Sequence, residues 1–163
     1  MADPDIVAEP LDGPAGRELL DELDDDLERR YGDGEAVHAA PGEFLPPDGL
    51  FLVLRVGGTP VACGGYRRVD EQTAELKRMY VRPDARGKGL ARLMLARLEH
   101  AAMQAGYVQL WLETGGEQPE AIALYEASGY VPGASCGQFA WAPDQRCYGK
   151  VLSPRPSSRA PLS

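Results

Sequence analysis

A six-residue segment near the middle of the chain combines residue types that bind anions. The segment Arg86-Gly87-Lys88-Gly89-Leu90-Ala91 follows a run of β-formers that ends in Met79-Tyr80-Val81, and a helical pattern begins at Leu90. Two glycines allow a sharp turn and the close approach of a ligand, and the first turn of a helix leaves several N–H groups unpaired. With the helix dipole and the flanking Arg86 and Lys88, these N–H groups predict a phosphate or pyrophosphate site.

Two common phosphate-binding motifs do not fit this loop. The dinucleotide motif G-x-G-x-x-G needs glycine or alanine where the chain has Arg92, and the nucleotide motif G-x-x-x-x-G-K-[ST] fails because Lys88 precedes Gly89. The pattern R-x-x-G-x-A from Arg86 to Ala91 does fit, directly after a strand. Here the sequence resembles the GNAT superfamily of acetyl-CoA-dependent N-acetyltransferases. The alternative is that the two glycines only make a tight strand-to-helix turn.

A second segment strengthens the resemblance. Leu112-Glu113-Thr114-Gly115, the run Gln118-Pro119-Glu120-Ala121-Ile122-Ala123-Leu124-Tyr125 and the pair Gly129-Tyr130 are similar to the superfamily block N-x-x-A-I-x-L-Y-x-x-x-G-[FY]. The two blocks occur in the expected order, and the match covers about Leu50 to Pro132. One position departs from the pattern, since Gln118 stands where the superfamily has asparagine, so a longer amide must take over its bond to pantetheine or the bond is absent.

The resemblance implies which residues bind acetyl-CoA. Backbone groups of Met79, Tyr80 and Val81 would pair with the pantetheine amides like an added strand, because a row of amides suits an open strand edge. That edge is open only if two neighbouring parallel strands splay, and a bulge around Arg78-Met79 would open it. The implied cofactor-binding residues are Met79, Tyr80, Val81, Arg86, Gly87, Lys88, Gly89, Leu90, Ala91, Gln118 and Tyr125, and no metal site is expected.

The resemblance also implies two catalytic residues. Tyr125 would protonate the departing thiolate, since a phenol of pKa about 10 stays protonated at neutral pH while coenzyme A leaves as a base of pKa about 8.5. Glu75 would accept a proton from the attacking amine through water. Alternatively, Tyr125 is only an aromatic core residue, and Glu75 is a surface group paired with Lys77 or Arg68.

We therefore expect an N-acetyltransferase that moves an acetyl group to a primary amine of a small molecule or peptide by direct attack in a ternary complex. A covalent route through Cys63 would need an activating group that the sequence does not reveal. The alternative from a different class is a non-catalytic acyl-CoA-binding module that contacts a protein partner through its acidic helix and the Gly32 to Asp48 segment.

Charge is unevenly distributed along the chain and bears on the acceptor. The net charge is −8, and residues 1–45 hold 14 of the 25 acidic side chains but 3 of the 17 basic ones. This bias disfavours a nucleic-acid partner and favours a cationic amine. The candidate carboxylates are Asp24, Asp25, Asp26, Glu35 and Glu43. A solvated helix face is the alternative explanation for each of them.

The elements that must position these groups follow from periodicity and turn residues. We expect, in order, a short strand at Ile6–Ala8, a helix from Pro14 to about Tyr31, an irregular segment from Gly32 to Asp48, strands at 50–56, 60–69 and 73–81, a helix from Leu90 to Ala105, a strand at 108–113, a helix at 119–127, and strands starting at Tyr130 and Arg146. The predicted fold is α/β (α+β) and GNAT-like, with a mixed, mostly antiparallel sheet of six or seven strands, helices on both faces, and two central parallel strands splayed at the cofactor site.

Length and composition predict one globular domain. Residues 1–152 would form it, and residues 153–163 a Pro/Ser-rich tail. The three cysteines, Cys63, Cys136 and Cys147, show no C-x-x-C spacing, and we expect reduced thiols in a cytoplasmic protein. No membrane contact is expected. An exposed late strand could pair with a second copy to form a homodimer.

Overall fold

The computed structural model describes residues 3–32, 40–133 and 145–152. Ten helices and strands lie within these ranges. In chain order they are β1 (Pro4–Ala8), α1 (Pro14–Tyr31), β2 (Leu50–Val56), β3 (Thr59–Arg68), β4 (Thr73–Val81), α2 (Leu90–Gln104), β5 (Gln109–Gly115), α3 (Pro119–Ala127), β6 (Val131–Pro132) and β7 (Gln145–Val151). This order confirms the predicted one.

The seven described strands form one sheet in the order β1-β2-β3-β4-β5-β7-β6. Short turns join β2, β3 and β4 into an antiparallel meander, as two glycines at 57 and 58 and a polar turn at 70–72 predict. The chain then crosses through α2 to place β5 parallel to β4, and every other described pair is antiparallel. The predicted mixed, mostly antiparallel sheet is confirmed.

Two apolar clusters cover the two faces of the sheet. On one face, which we call the α2 face, Met94, Leu95 and Leu98 of α2 pack against Leu110 and Leu112 of β5. On the opposite α1 face, Leu19, Leu20 and Leu23 of α1 pack against Val53 and Cys63. The burial of apolar surface, which stabilises a fold by about 25 cal/mol per Å², holds these helices to the sheet. Helices therefore lie on both faces, as predicted.

Ion pairs fix α1 against the strand that carries the candidate site. Arg82, just after β4, donates to Glu22 (2.8 Å) and Glu18 (2.5 Å) of α1. At the other end of α1, Arg30 pairs with Asp26 (3.1 Å) and with Glu120 at the start of α3. The acidic helix is thus tied to both β4 and α3, and these contacts set its position beside the site.

Two sequence expectations are corrected by the structure. The segment expected to be irregular contains a 3-10 turn at Pro41–Phe44, because the Phe44 ring is buried against the α1-face core and fixes the backbone around it. Cys147 is disulfide-bonded, so the expectation of reduced thiols is wrong at this position. Its partner lies outside the described residues. Sequence spacing could not reveal a bond that depends on which chain segments meet in space.

The disulfide also removes the argument that the cysteines made for a cytoplasmic location, since disulfides persist mainly in oxidising compartments. The cytoplasmic location stays a prediction. Within the described ranges, none of the helices has the length and apolar character to cross a membrane. The tail at residues 153–163 and Glu35 lie outside the described residues.

Candidate active site

The two parallel strands at the centre of the sheet separate after three paired residues. Thr73, Ala74 and Glu75 of β4 pair with residues 109–111 of β5, and no pairing continues beyond Glu75 and Trp111. Residues 112–115 of β5 pair with β7 on their other side. The part of β4 after Glu75 therefore presents an unpaired edge toward a gap, which confirms the predicted splay.

A β-bulge accompanies this separation. Gly65 pairs with Lys77 and Cys63 pairs with Tyr80, so two steps along β3 correspond to three steps along β4. Arg78, within the bulge, has a φ of 62°, a left-handed conformation that costs a non-glycine residue about 1–2 kcal/mol. Bulges bend a strand and redirect its groups. The bulge lies at the position where the sequence predicted it.

The open edge fits a ligand that carries a row of amides. A strand edge offers alternating N–H and C=O groups, and the amides of pantetheine have the same complementary groups. On the opposite side of the gap, the Thr114 hydroxyl of β5 is buried and has no hydrogen-bond partner among the residues that the structure describes. Because buried hydroxyls in native proteins are normally satisfied, this group is a candidate hydrogen-bond partner for a polar ligand.

The predicted anion loop lies between the end of β4 and the start of α2. Gly87 and Gly89 have φ values of 80° and 78°, which glycine adopts without strain, and Gly89 caps α2 without a side-chain hydrogen bond. Within the described residues, no hydrogen bond engages the backbone N–H groups of residues 87–91. These donors and the positive end of the α2 dipole provide the chemistry of a pyrophosphate site.

The side chain of Arg86 is held by other protein groups and does not extend freely toward the predicted phosphate site. Its Nε donates to the Val81 carbonyl at 2.8 Å, and its guanidinium lies 5.9 Å from the centre of the Tyr80 ring. Its backbone N–H is also engaged, by the Pro83 carbonyl at 3.3 Å. Arg86 therefore braces the end of β4 against the loop, while Lys88 is exposed beside the free N–H groups.

Gln118 occupies the cap position of α3, and its backbone carbonyl accepts from the N–H groups of Ala121 and Ile122. Its side-chain oxygen accepts a hydrogen bond of 3.2 Å from the hydroxyl of Tyr31, the last residue of α1. The same hydroxyl accepts from the Glu117 N–H at 3.2 Å. Tyr31 thus orients the Gln118 amide and leaves its NH₂ donors available.

Tyr125 lies on the α2 face, where its side chain is 6% exposed. Its ring meets the ring of Tyr130 edge-on, with centroids 5.8 Å apart. Burial raises the pKa of the Tyr125 phenol above its ordinary value, so the hydroxyl is protonated throughout the neutral range. Within the described part of the chain, this hydroxyl makes no hydrogen bond.

Glu75 is the last residue of β4 that pairs with β5, where the two strands separate. It is 2% exposed, so the expectation of a surface residue is wrong. Arg67 of the neighbouring strand donates to its Oε1 at 3.1 and 3.2 Å, and Lys77 Nζ lies 3.7 Å from its Oε2. The expected partner Lys77 is therefore present, while Arg67 takes the place expected for Arg68.

The acidic residues proposed to attract a cation are largely paired already. Asp24 accepts from Arg78 at 2.8 Å, and Glu43 from Arg67 at 3.1 Å. Asp26 pairs with Arg30, as described above. These carboxylates are neutralised by arginines of the same chain, because the sequence distributes acids and bases between segments that meet in the fold.

Sequence reasoning missed three residues at this site: Arg78, Thr114 and Tyr31. Arg78 was expected only as part of the bulge, although a charged residue within a mostly apolar strand was a signal that could have been followed. Neither Thr114 nor Tyr31 stands out by type or spacing, and the contacts of Tyr31 with Gln118 span 87 positions in the chain.

Comparison with known proteins agrees with this geometry. The profile of the Acetyltransferase (GNAT) family matches residues 15–130. An IAA acetyltransferase of Azospirillum brasilense is 39% identical over 124 residues, which are 72% of this chain and 80% of that protein. The crystal structure of an acyl-CoA N-acyltransferase from Klebsiella pneumoniae superposes with a TM-score of 0.79 and 28% identity, covering 94% of this chain and 100% of that one.

A third similarity concerns the fold alone. A GNAT family acetyltransferase from Elizabethkingia anophelis, solved with acetyl-CoA bound, has a TM-score of 0.68 at 15% identity and covers 93% of this chain and 100% of its own. The family match spans both sequence blocks, the splayed strands and the anion loop. From this agreement we conclude that the chain belongs to the acetyltransferase (GNAT) family, whose acyl donor is acetyl-CoA, and that it is an N-acetyltransferase.

Proposed function

We propose that this enzyme transfers the acetyl group of acetyl-CoA to a primary amine of a small molecule or peptide by direct attack in a ternary complex. The observation that carries the proposal is the gap between β4 and β5, where an unpaired edge of β4 lies across from the strand that holds the Thr114 hydroxyl, a buried group with no hydrogen-bond partner among the described residues. Acetyl-CoA supplies an activated thioester there. Residues 1–152 act as one domain in this proposal.

The donor is held by three groups of residues. The backbone of Met79, Tyr80 and Val81 binds the pantetheine amides, and the loop from Arg86 to Ala91 binds the pyrophosphate. Two features support the loop assignment: its N–H groups from Gly87 to Ala91 have no acceptor among the described residues, and α2 directs its positive end toward them. The NH₂ group of Gln118, oriented by Tyr31, is the third contact and replaces the asparagine of the family pattern.

Tyr125 is the general acid that protonates the departing sulfur. Its raised pKa keeps the phenol protonated at neutral pH, and its hydroxyl is not engaged by the described residues. Tyr125 therefore has a donor that no described residue engages, on the α2 face of the sheet, where Thr114 also lies.

Glu75 is the base that takes the proton of the attacking amine through water. Its place at the point of strand separation supports this role. The carboxylate has two oxygens, and Arg67 holds one of them while Lys77 lies 3.7 Å from the other. Arg67 thereby fixes the orientation of the carboxylate, and Oε2 has the weaker contact and can accept a proton from water.

Direct attack is favoured over a covalent intermediate on a cysteine. Burial raises the pKa of the Cys63 thiol to about 12, so the reactive thiolate is nearly absent at neutral pH. Its Sγ lies 3.5 Å from the Arg78 carbonyl, within the α1-face core. Cys147 is bonded in a disulfide and is not a free nucleophile.

The sequence predicts a cationic acceptor because of its acidic residues. Three of these residues, Asp24, Asp26 and Glu43, form ion pairs with arginines of the same chain, so they give little support to a cation beyond the ammonium group of the amine itself. A homodimer through a late edge strand stays a proposal. In the sheet order, the edge on that side is β6, which has two residues.

The test is release of free coenzyme A thiol from acetyl-CoA against a panel of primary amines. We expect turnover on at least one class of amine, with initial rates at varied concentrations of both substrates giving intersecting double-reciprocal lines. Parallel lines would contradict direct attack, because they indicate an acetyl-enzyme. Absence of turnover on every amine would contradict the proposed reaction.

A further inference from the structure

Arg78 is a buried cation beside the gap that none of the proposed roles uses. It lies three residues beyond Glu75 on β4, just as Thr114 lies three residues beyond Trp111 on β5, so the two stand at similar heights on opposite sides of the gap. Their side chains contain the two buried polar atoms without hydrogen-bond partners among the described residues, Arg78 Nε and Thr114 Oγ1. Within the described part of the chain, both unsatisfied buried side-chain atoms thus belong to strands that border the gap.

The two residues face opposite sides of the sheet. Thr114 follows Leu110 and Leu112 at intervals of two along β5, which places it on the α2 face with the anion loop and Tyr125. Arg78 contacts Asp24 of α1, and its carbonyl accepts from Cys63 Sγ on the α1 face. Since the donor residues lie toward the α2 face, Arg78 belongs to the side from which an acceptor would reach the gap.

The guanidinium of Arg78 is under-used for its degree of burial. The residue is 9% exposed, yet the one hydrogen bond from its guanidinium to described residues runs from Nη2 to Asp24 Oδ1, at 2.8 Å. A guanidinium has five N–H donors and stays charged at every physiological pH. Asp24 is 54% exposed at its side chain, so its charge is screened by water and compensates a buried cation only partly.

The backbone at Arg78 adopts an unfavourable conformation. Arg78 is the one non-glycine residue in the described ranges with a positive φ, and the bulge turns its side chain toward α1 instead of the α2-face core. Backbone strain of this kind persists where surrounding structure enforces it, frequently at ligand sites.

We propose that the acceptor amine also carries a carboxylate and that Arg78 binds it through guanidinium N–H groups that Asp24 does not engage, an inference that rests on the acetyltransferase function proposed above. Arginine matches a planar carboxylate with two parallel N–H donors, and such charge-assisted bonds are short and strong. A ligand with a single carboxylate is sufficient here, because Asp24 already compensates part of the charge of Arg78. Arg78 is thus a specificity-determining residue on the acceptor side.

The experiment compares amines in pairs that differ only in this charge. Glycine, β-alanine, 4-aminobutyrate, 6-aminohexanoate and the common α-amino acids are each tested against their carboxamides, so that chain length reports the distance between amine and carboxylate. For the best pair we expect kcat/KM to favour the carboxylate by about 10- to 100-fold, the range for a hydrogen bond to a charged group. Amides that match or exceed their acids in every pair would overturn the inference.

Matched variants separate recognition from structure. Arg78→Gln and Asp24→Asn break the same ion pair, but the second leaves the guanidinium in place. We expect Arg78→Gln to abolish the preference for the carboxylate and Asp24→Asn to keep it, while Arg78→Lys, which retains charge without the planar fork, gives an intermediate value. Equal loss in Arg78→Gln and Asp24→Asn would show that Arg78 only anchors α1.

Failure of the inference and failure of the proposed function give different results. If amines without a carboxylate are acetylated and the acids are not, the function stands and the inference is wrong. If no amine is acetylated, calorimetry of the coenzyme A-loaded protein with the same pairs decides the inference. Tighter binding of an acid than of its amide, lost in Arg78→Gln, would support it, and equal or absent binding of all pairs would overturn it.

Discussion

Replacing Tyr125 by phenylalanine removes one oxygen from α3 and leaves the ring in place. The ring is almost fully buried, and its edge-on contact with Tyr130, at 5.8 Å between centroids, does not depend on the hydroxyl. Because that hydroxyl makes no hydrogen bond to the described residues, its loss breaks none there. We therefore expect the free energy of unfolding to change by less than about 1 kcal/mol.

The effect on catalysis should be much larger. A positioned general acid contributes about 10²- to 10⁴-fold to a rate, which corresponds to about 2.7 to 5.4 kcal/mol of barrier. The donor contacts proposed for β4 and the anion loop are untouched by the substitution. The expected result is a fall in kcat of at least about 100-fold with little change in the KM for acetyl-CoA.

The assay follows coenzyme A release in wild type and variant across pH, beside thermal melts of both. Burial raises the Tyr125 pKa above its ordinary value of 10, so the acid form persists and this group should cause no loss of wild-type kcat below about pH 10. A variant with kcat within about threefold of wild type would refute the role of Tyr125 as acid. A melting temperature of Tyr125→Phe many degrees below that of wild type would contradict the expectation that the Tyr125 hydroxyl contributes little to stability.

Three further outcomes follow from the structure. Glu75→Gln should lower turnover about 100-fold, because Glu75 is the proposed base. Glu43→Gln removes the other carboxylate that pairs with Arg67 and should leave turnover within a few-fold of wild type. Equal kinetic effects of the two substitutions would assign both carboxylates a structural role. Gly89→Ala and Gly57→Ala, both at positive φ, should each cost about 1 kcal/mol of stability, but the KM for acetyl-CoA should rise only in Gly89→Ala. The hydrogen bond from Arg82 lowers the pKa of Glu22 in the folded protein. This half-exposed carboxylate therefore contributes up to about 1 kcal/mol to the free energy of unfolding above pH 4.5, and the contribution is lost as the pH falls through the folded-state pKa. Melting curves of wild type and Glu22→Gln should therefore differ at pH 7 and converge in acid, and a constant difference would contradict this.

Features coded by local pattern could be predicted from the sequence. Apolar spacing in α1 and α2, the glycines at 57–58 and the polar turn at 70–72 determine element order and the antiparallel meander. The skipped spacing of Leu76, Met79 and Val81 located the bulge. These signals succeed because each depends on a few neighbouring residues and on elementary backbone preferences.

Features that depend on distant segments could not be predicted. The pair Asp24–Arg78 joins positions 54 apart, and Arg30–Glu120 joins positions 90 apart. Both require the axial position of α1 on the sheet, which its apolar stripe does not fix. The disulfide of Cys147 and the unsatisfied hydroxyl of Thr114 are likewise properties of the assembled fold.

The unpaired half of β4 makes the proposed donor a missing piece of the protein's own architecture. A ligand that completes a hydrogen-bond ladder is present in the native state and absent from the unfolded one, so by mass action it stabilises the fold by about 2.7 kcal/mol at 100 times its Kd. The amide protons of Met79 and Val81, which alternate with the β3-facing N–H groups of Tyr80 and Arg82, should then exchange slowly with solvent only when acetyl-CoA is bound. The lifetime of this enzyme in a cell would consequently rise and fall with the supply of acetyl-CoA, which links its abundance to metabolism without a separate regulatory site.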